Sequence, residues 1–308
     1  MITNPDRTLV VSSVGWVEKD ALWVLDPASG RAETIACGTG AAWCSLHGGG
    51  AERFAVAHHF DGERLEITVR GFPAPAAVLA RAVVERGGCR LLGDAAAWRD
   101  VPHLYVEHLA FAPWDDSVLL NVSPAEGRVE IQRLEWYDRS FDKDYQAVLA
   151  VLALPDRESA LIAVQRSARL IVHDLRSGRR RRYVDLGRRD GNPQLELRGD
   201  GAELWATGYD SLLVLRTADW STLRKARLQE PVEGTQRFIG HIAFAPRDGA
   251  CVVARPFSGD VVELDPATLA IRRTARVGAE PLEVAALHDG AVVARDWRSG
   301  ALLRGVLA

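Results

Sequence analysis

Short apolar runs recur along most of the chain, and each is followed by a tight turn and a second run in which apolar and polar residues alternate. The turns carry Asp, Ser or Gly, which hydrogen-bond the turn backbone or supply a positive φ. Alternation with a period of two predicts strands, and two such strands joined by a tight turn predict an antiparallel hairpin. We interpret each hairpin as the third and fourth strands of a repeating unit. The clearest hairpins cover residues 21–37, 168–186, 211–228 and 260–278.

Two segments of nearly identical sequence set the length of that unit. Residues 108–113 read HLAFAP and residues 241–246 read HIAFAP, with an acidic residue two positions after each proline. The copies lie 133 residues apart, which is three times about 44. A period of roughly 40–45 residues is the length of one four-stranded blade of a β-propeller.

Predicted third strands recur at this period through the whole chain. Five of the six spacings between them are 41–49 residues, and the sixth is 64 residues. We therefore predict an all-β fold, a single seven-bladed β-propeller domain of four-stranded antiparallel blades over residues 1–308. Six blades are the alternative, because the pattern does not place every strand at the two ends. The predicted third strands begin near Leu22, Leu65, Val129, Leu170, Leu212, Val261 and Leu302.

The long spacing predicts an insertion at residues 72–104, between the second and third blades. Its Ala-rich stretch 76–86 follows Pro75 and precedes two glycines, which predicts a short helix. A second irregular segment, residues 134–145, is rich in aromatic and charged residues. Long loops on a repetitive scaffold are where binding residues concentrate, so both segments are candidate binding surfaces.

Residues 261–287 read VVELDPATLAIRRTARVGAEPLEVAAL. This segment resembles the repeat of the YVTN-type bacterial propellers, in which an apolar strand, D-x-x-T and a second strand ending in V-G precede a small residue and proline. Residues 22–45 match the same repeat more loosely, and the other blades match only in their hydrophobic pattern. The resemblance implies a propeller architecture. It does not select a function, because that superfamily includes scaffolds, lactonases, lyases and cell-surface proteins.

Composition narrows the expected partners. A formal net charge of −3 provides no general attraction to nucleic acid or to an anionic membrane. The N-terminal residues lack a secretory-signal pattern, and no apolar run reaches the roughly 18 residues of a membrane span. The four cysteines have no paired spacing, which favours reduced thiols. We therefore expect a cytoplasmic monomer that binds a small molecule or a protein, without nucleic-acid or membrane partners.

Several chemical classes have no motif in this sequence. A phosphate-binding loop, a dinucleotide fingerprint, a nucleophile elbow and a zinc-protease motif are all absent. Nucleotide-dependent and α/β-hydrolase chemistry are therefore disfavoured. We expect no cofactor and no bound metal.

Polar residues in or just before the first strand of each blade are the candidates for chemistry, because these strands line the central channel of a propeller. The predicted first strands lie near residues 43–47, 103–111, 146–153, 193–197, 237–245 and 282–287. The candidate catalytic residues are His108, His241, Glu107, Glu283 and Arg237. The candidate ligand- or partner-binding residues are His103, Trp43, Tyr145, Trp98, Trp136 and Gln194.

These candidates also have structural interpretations. In a ring of seven blades, His108 and His241 lie nearly opposite each other, where imidazoles beside a carboxylate can perform acid–base catalysis. Alternatively, each histidine hydrogen-bonds between adjacent blades. We expect Trp205 and Trp297 to pack between blades. The arginine run at residues 176–182 is expected on a solvated outermost strand, with binding of an anionic partner as the alternative.

Two functions follow from this sequence. The first is a binding or scaffold propeller that recognises a protein or small ligand at the mouth of the channel. The second is a propeller lyase, hydrolase or isomerase that uses His and Glu residues in a central pocket. The absence of any recognised catalytic motif favours the first.

Overall fold

A computed structural model describes the strands before residue 151 by their backbone, and part of the later chain in full. Two compact units divide the chain at residues 1–135 and 136–308. Every described regular element is a β-strand, apart from one 3-10 turn at Pro256–Ser258. Side chains are described for residues 152, 154, 156, 158–163, 169–174, 176–186, 194–198, 201–230, 238–245 and 248–308.

The first unit contains twelve described strands in three antiparallel sheets, β1–β3, β4–β8 and β9–β12. Their bounds are β1 Leu9–Ser12, β2 Ala21–Leu25, β3 Ala32–Ala36, β4 Ala41–Gly49, β5 Glu52–Phe60, β6 Arg64–Phe72, β7 Val78–Glu85, β8 Gly88–Leu92, β9 Leu104–Tyr105, β10 Leu109–Phe111, β11 Asp116–Ser123 and β12 Arg128–Arg133.

The prediction of a short helix at residues 76–86 is wrong. Residues Val78–Glu85 of this stretch form β7, which pairs with β6 on one side and β8 on the other, in a sheet of five strands. Val84, for example, lies opposite Leu65 of β6 and Cys89 of β8. Pairing on both edges, together with the β-branched valines, outweighs the helix propensity of the alanines.

The second unit contains fifteen described strands in four antiparallel sheets, β13–β16, β17–β20, β21–β24 and β25–β27. The first strands of successive sheets lie side by side, β13 next to β17, β17 next to β21 and β21 next to β25. Their bounds are β13 Val148–Ala153, β14 Ser159–Val164, β15 Arg169–Asp174, β16 Arg179–Asp185, β17 Leu195–Arg198, β18 Glu203–Thr207, β19 Ser211–Arg216, β20 Thr222–Arg227, β21 Ile242–Phe244, β22 Cys251–Arg255, β23 Asp260–Leu264, β24 Ile271–Arg276, β25 Pro281–Ala286, β26 Ala291–Asp296 and β27 Leu302–Val306.

The predicted turn chemistry is confirmed in the described hairpins. After β15, the Asp174 carboxylate accepts the Ser177 N–H at 2.7 Å, and Gly178 has a φ of 68°. After β23, Asp265 accepts the N–H groups of the residues two and three positions later, at 2.7 and 3.0 Å. Leu269 takes the left-handed position of that turn with a φ of 60°, and burial of its side chain offsets the strain.

The core of the second unit lies between successive sheets. Trp205 of β18 is fully buried and packs with Ile242 of β21, and its ring meets that of Phe244 edge-on at 5.3 Å. Ala243 faces the opposite way and packs with Val284 of β25. Alternate residues of the HIAFAP segment therefore fill the two neighbouring inter-sheet spaces.

The predicted strand positions agree well with the described ones. All seven predicted third strands fall on β2, β6, β12, β15, β19, β23 and β27. The predicted first strands fall on β4, β9–β10, β13, β17, β21 and β25. The single-domain organisation and the insertion at 72–104 stay predictions.

Candidate functional site

The candidate site is built around His241, which joins the last two sheets through its backbone. Its N–H donates to the Leu282 carbonyl of β25 at 2.8 Å, and its own carbonyl accepts the Ala254 N–H of β22 at 3.0 Å. A Cβ atom on the preceding Gly240 would overlap the Leu282 carbonyl oxygen and lie 3.1 Å from the Ala254 Cβ atom. The backbone of His241 therefore makes a hydrogen bond between the two sheets, and the preceding position has room only for glycine.

Glu283 lies one residue beyond that junction and is held in a buried ion pair. Its two carboxylate oxygens accept hydrogen bonds from Nε and Nη2 of Arg295, at 2.9 and 3.2 Å. The side chains are 5% and 3% exposed, and the residues are cross-strand neighbours in β25 and β26. The fork-to-carboxylate geometry satisfies both oxygens of Glu283. Glu283 therefore already has a buried counter-ion within the fold, and its predicted catalytic role stays a prediction.

The His241 imidazole lies in an environment that keeps it neutral. Burial lowers its pKa well below the usual value, and the positive charge of Arg295 lowers it further. An efficient general base has a pKa near the working pH, so a neutral imidazole with a strongly lowered pKa accepts a proton poorly at pH 7. The structure therefore brings His241 and Glu283 into one neighbourhood, but with properties that disfavour acid–base catalysis by them.

Asp296 holds together two loop segments next to this site, the one before β25 and the turn after β26. Its carboxylate accepts the backbone N–H groups of Ala279 and Glu280, both at 2.7 Å, and the N–H of Ser299 at 2.8 Å. Burial raises the pKa of the carboxyl group, but the hydrogen bonds from Glu280 and Ser299 outweigh it and lower the pKa to about 2. Asp296 thus ties the turn after β26 to the segment that enters β25.

An aromatic patch, defined as Phe238, Phe257 and Trp297, lies at the same end of these two sheets. The Phe238 ring centroid is 5.3 Å from those of both Phe257 and Trp297. Phe238 is almost buried, whereas Phe257 and Trp297 are 40% and 36% exposed. The Trp297 backbone N–H donates to the Glu280 carbonyl at 2.8 Å, which fixes the turn that carries the ring. The Trp297 ring thus lies beside Phe238, which precedes β21 of the neighbouring sheet, while 36% of Trp297 stays exposed. The expectation that Trp297 packs between blades stays a prediction.

Among the other predicted site residues, Gln194 is half-buried just before β17, where its backbone N–H donates to Thr207 Oγ1 at 3.0 Å. Trp43 lies in β4 opposite His58, and the structure describes only its backbone. Seven predicted residues lie outside the described residues: His103, Glu107, His108, Trp98, Trp136, Tyr145 and Arg237. The predicted pairing of His108 with His241 therefore stays a prediction.

Sequence reasoning missed three residues of this neighbourhood. Arg295 looked like an ordinary strand charge, and only its register opposite Glu283 reveals the pair. Phe257 had a signal, because it lies between Pro256 and Ser258 in a turn where an apolar residue has no core to join. Phe238 precedes a strand and was indistinguishable from a packing residue.

Other features of the described residues lie elsewhere or are absent. A hollow of about 430 Å³ is lined by none of the predicted site residues. The part of the chain that the structure describes holds no cluster of three or more metal-ligating side chains. It also has no helix of the length and apolar character that crossing a membrane requires. The hollow is lined by Arg198, Arg224, Asp248, Ala250, Asp265, Pro266, Ala267 and Arg272.

Comparisons with known proteins show the architecture. No family model matches the chain, and no curated protein matches it. It is similar to the β-propeller domain of Cps50 (Swd1) from Myceliophteria thermophila, with a TM-score of 0.68 and 12% identity over 100% of this chain and 95% of that chain. It is also similar to hydrazine synthase from Kuenenia stuttgartiensis, with a TM-score of 0.66 and 13% identity over 98% of this chain and 93% of that chain. At these identities the likeness supports a β-propeller architecture and nothing about activity.

Proposed function

We propose that this protein is a binding propeller that recognises a protein partner through the aromatic patch. The observation that carries the proposal is the contrast between two groups at one end of the last two sheets. The polar side chains of Glu283 and Arg295 satisfy each other inside the fold. The rings of Phe257 and Trp297 remain exposed to solvent.

The patch has the composition of a protein-binding centre. Aromatic residues are enriched at the cores of protein interfaces, and Trp and Arg are over-represented among residues that dominate affinity. Trp297 is followed by Arg298, which is 74% exposed and pairs with Glu280 at 2.5 Å. An aromatic centre beside a charged pair matches the usual division of an interface into an apolar core and a polar rim.

The architecture proposed around this patch is a seven-bladed closed ring of the YVTN-type repeat. Its support is the agreement of seven predicted third strands with described strands, and the side-by-side first strands of the second unit. A ring of 308 residues has a radius of gyration of about 19 Å, from the size scaling of compact domains. Small-angle scattering measures this value, and a markedly larger one would contradict a single closed ring.

The binding proposal is tested with a photo-crosslinking residue at position 297 and, as a matched control, at position 271. Ile271 is 47% exposed at the start of β24, so it controls for exposed apolar character away from the patch. We expect position 297, but not position 271, to yield a discrete adduct in the native host.

The partner identified from that adduct is then purified and titrated against two variants. Phe257→Ser with Trp297→Ser should weaken binding at least tenfold, since interface aromatics commonly contribute more than about 1–2 kcal/mol each. Ile271→Ser should leave the affinity within about twofold. Equal adducts at both positions, or unchanged affinity in the double variant, would remove the patch as the binding surface.

A further inference from the structure

The outermost strand β16 begins with a row of positively charged side chains. Its first four residues, 179–182, are consecutive arginines, and all four are exposed. We call these four residues the arginine edge. No strand of the described chain pairs with the far side of β16, which is the last strand of its sheet. Among the described strands, this edge therefore has no ladder partner, and a row of guanidinium groups lies along it.

The neighbouring carboxylates pair with one member of the arginine edge, Arg181, and with Arg176 of the preceding turn. Arg181 lies 2.6 Å from Asp174 and 3.7 Å from both Asp156 and Glu158. Arg176, in the preceding turn, lies 2.8 Å from Glu158. These pairs consume the acidic residues at this end of the sheet.

The other three members of the arginine edge differ. Arg180 stacks on the Tyr183 ring, with its guanidinium carbon 4.2 Å from the ring centroid. Arg179 and Arg182 have no carboxylate within 4.0 Å among the residues that the structure describes. Two positive charges are therefore surplus to the internal pairing of this sheet.

The outer strand β24 of a later sheet gives a comparison. Arg272 pairs with Asp265, and Arg273 pairs with Glu263 through both guanidinium contacts. Arg276 has no carboxylate partner among the described residues and donates to the Ser258 carbonyl at 3.0 Å. The described β24 thus has one arginine without a carboxylate partner, whereas β16 has two, Arg179 and Arg182, within a run of four arginines.

The strand register places positive charge on both faces of the β16 edge. Arg179 lies opposite Asp174 and Arg182 opposite Val172, so both share one face of the sheet. Arg180 lies opposite His173, on the other face. An extended peptide also projects alternate side chains to opposite faces, and its amide groups can continue the hydrogen-bond ladder of an edge strand.

We propose that the outer edge of β16 binds an acidic segment of a protein by strand addition, with Arg179 and Arg182 pairing with its carboxylates. The outer edge of β16 supplies the backbone hydrogen bonds, and the guanidinium groups of Arg179 and Arg182 supply the preference for acidic side chains. A nucleic-acid strand supplies negative charge for the guanidinium groups, but it has no backbone amide groups that could continue the hydrogen-bond ladder. This site lies on a different sheet from the aromatic patch and does not depend on it.

The test uses the full chain and a fluorescein-labelled peptide of alternating glutamate and valine, followed by fluorescence anisotropy at low salt. Arg179→Gln with Arg182→Gln should weaken binding roughly five- to thirtyfold, because two exposed ion pairs are lost. The matched control is Lys225→Gln with Arg276→Gln, which removes the same charge from the outer strands β20 and β24. That control should change the affinity less than about twofold.

Two further probes separate strand addition from simple charge attraction. The same peptide with N-methyl groups on alternate amides keeps its charge but cannot extend the ladder, so its binding should be lost. An oligothymidylate of similar charge should bind more weakly than the peptide. The proposal is overturned by no detectable peptide binding, by equal losses in the two double variants, by unchanged binding of the methylated peptide, or by tighter binding of the oligonucleotide.

Discussion

Replacing Glu283 with glutamine should destabilise the fold far more than an ordinary charge substitution. In the native protein the carboxylate neutralises Arg295, and both side chains are at most 5% exposed. Glutamine keeps the size of the side chain but leaves the Arg295 guanidinium charged, buried and without a counter-ion. The cost is therefore the desolvation of an unpaired ion, not the loss of one hydrogen bond.

The expected magnitude is about 3–5 kcal/mol, the cost of breaking a buried pair by removing one partner. A domain of typical stability has only about 5–15 kcal/mol in total. The melting temperature should fall by roughly 6–20 °C at 2–4 °C per kcal/mol. Removing both charges, as Glu283→Leu with Arg295→Met, should restore most of the loss, because an apolar pair of similar volume is often as stable as a buried ion pair.

Urea denaturation followed by circular dichroism and tryptophan fluorescence measures these differences. The control is Asp289→Asn, which breaks the exposed pair of Asp289 with Arg304, side chains that are 49% and 51% exposed. Its cost should stay within about 1 kcal/mol. If Glu283→Gln unfolds at the same urea concentration as the unaltered protein, the counter-ion role is wrong. A catalytic role for Glu283 would then regain support.

Three other outcomes follow from the same contacts. Gly240→Ala should cost about 1–3 kcal/mol in urea denaturation, since its methyl group meets the Leu282 carbonyl; an unchanged midpoint would show that the junction can relax. Burial lowers the pKa of His173 to about 4. Between pH 6.5 and 4 the imidazole therefore binds a proton only in the unfolded state. The free energy of unfolding should fall as the pH drops, by about 2 kcal/mol from pH 7 to 5. His173→Gln should flatten that part of the pH profile, and an identical profile would reject the assignment. Asp296→Asn should lower the free energy of unfolding by about 1–3 kcal/mol at pH 7, because it weakens the three N–H contacts. The difference in stability from the unaltered protein should shrink as the pH falls from about 4 towards 2, where the Asp296 carboxylate becomes protonated.

The architecture was readable from the sequence because it depends on local patterns. The four hairpins could be predicted from the alternation of apolar and polar residues and from the turn residues alone. Asp174 and Asp265 accept hydrogen bonds from the turn backbone, as their residue type indicates. The helix predicted at 76–86 failed for the complementary reason. Alanine favours a helix only when nothing else competes, and here β6 and β8 offer backbone partners on both edges.

The candidate site was only partly readable because its properties arise from register and burial. The position of His241 and Glu283 near a junction of first strands was predictable from the repeat. The pairing of Glu283 with Arg295 follows from the cross-strand register of β25 and β26, which the sequence does not display. Likewise, the exposure of Trp297 depends on where the turn after β26 begins, a shift of one residue from the buried Asp296.

The location of recognition in this protein follows from how its sheets pack. In the second unit each inner or middle strand has neighbouring sheets or strands around it, so a polar group there must find an internal partner, as Glu283 does with Arg295 and Asp260 does with Arg255. Groups at turn ends and on outermost strands carry no such requirement, because water satisfies them. The histidine that opens HIAFAP belongs to the first class, since its backbone is bonded and its imidazole is kept neutral by burial. Phe257 and Trp297 at the turn ends, and Arg179 and Arg182 on β16, lie at such positions and are exposed, so these are the surfaces on which we expect binding.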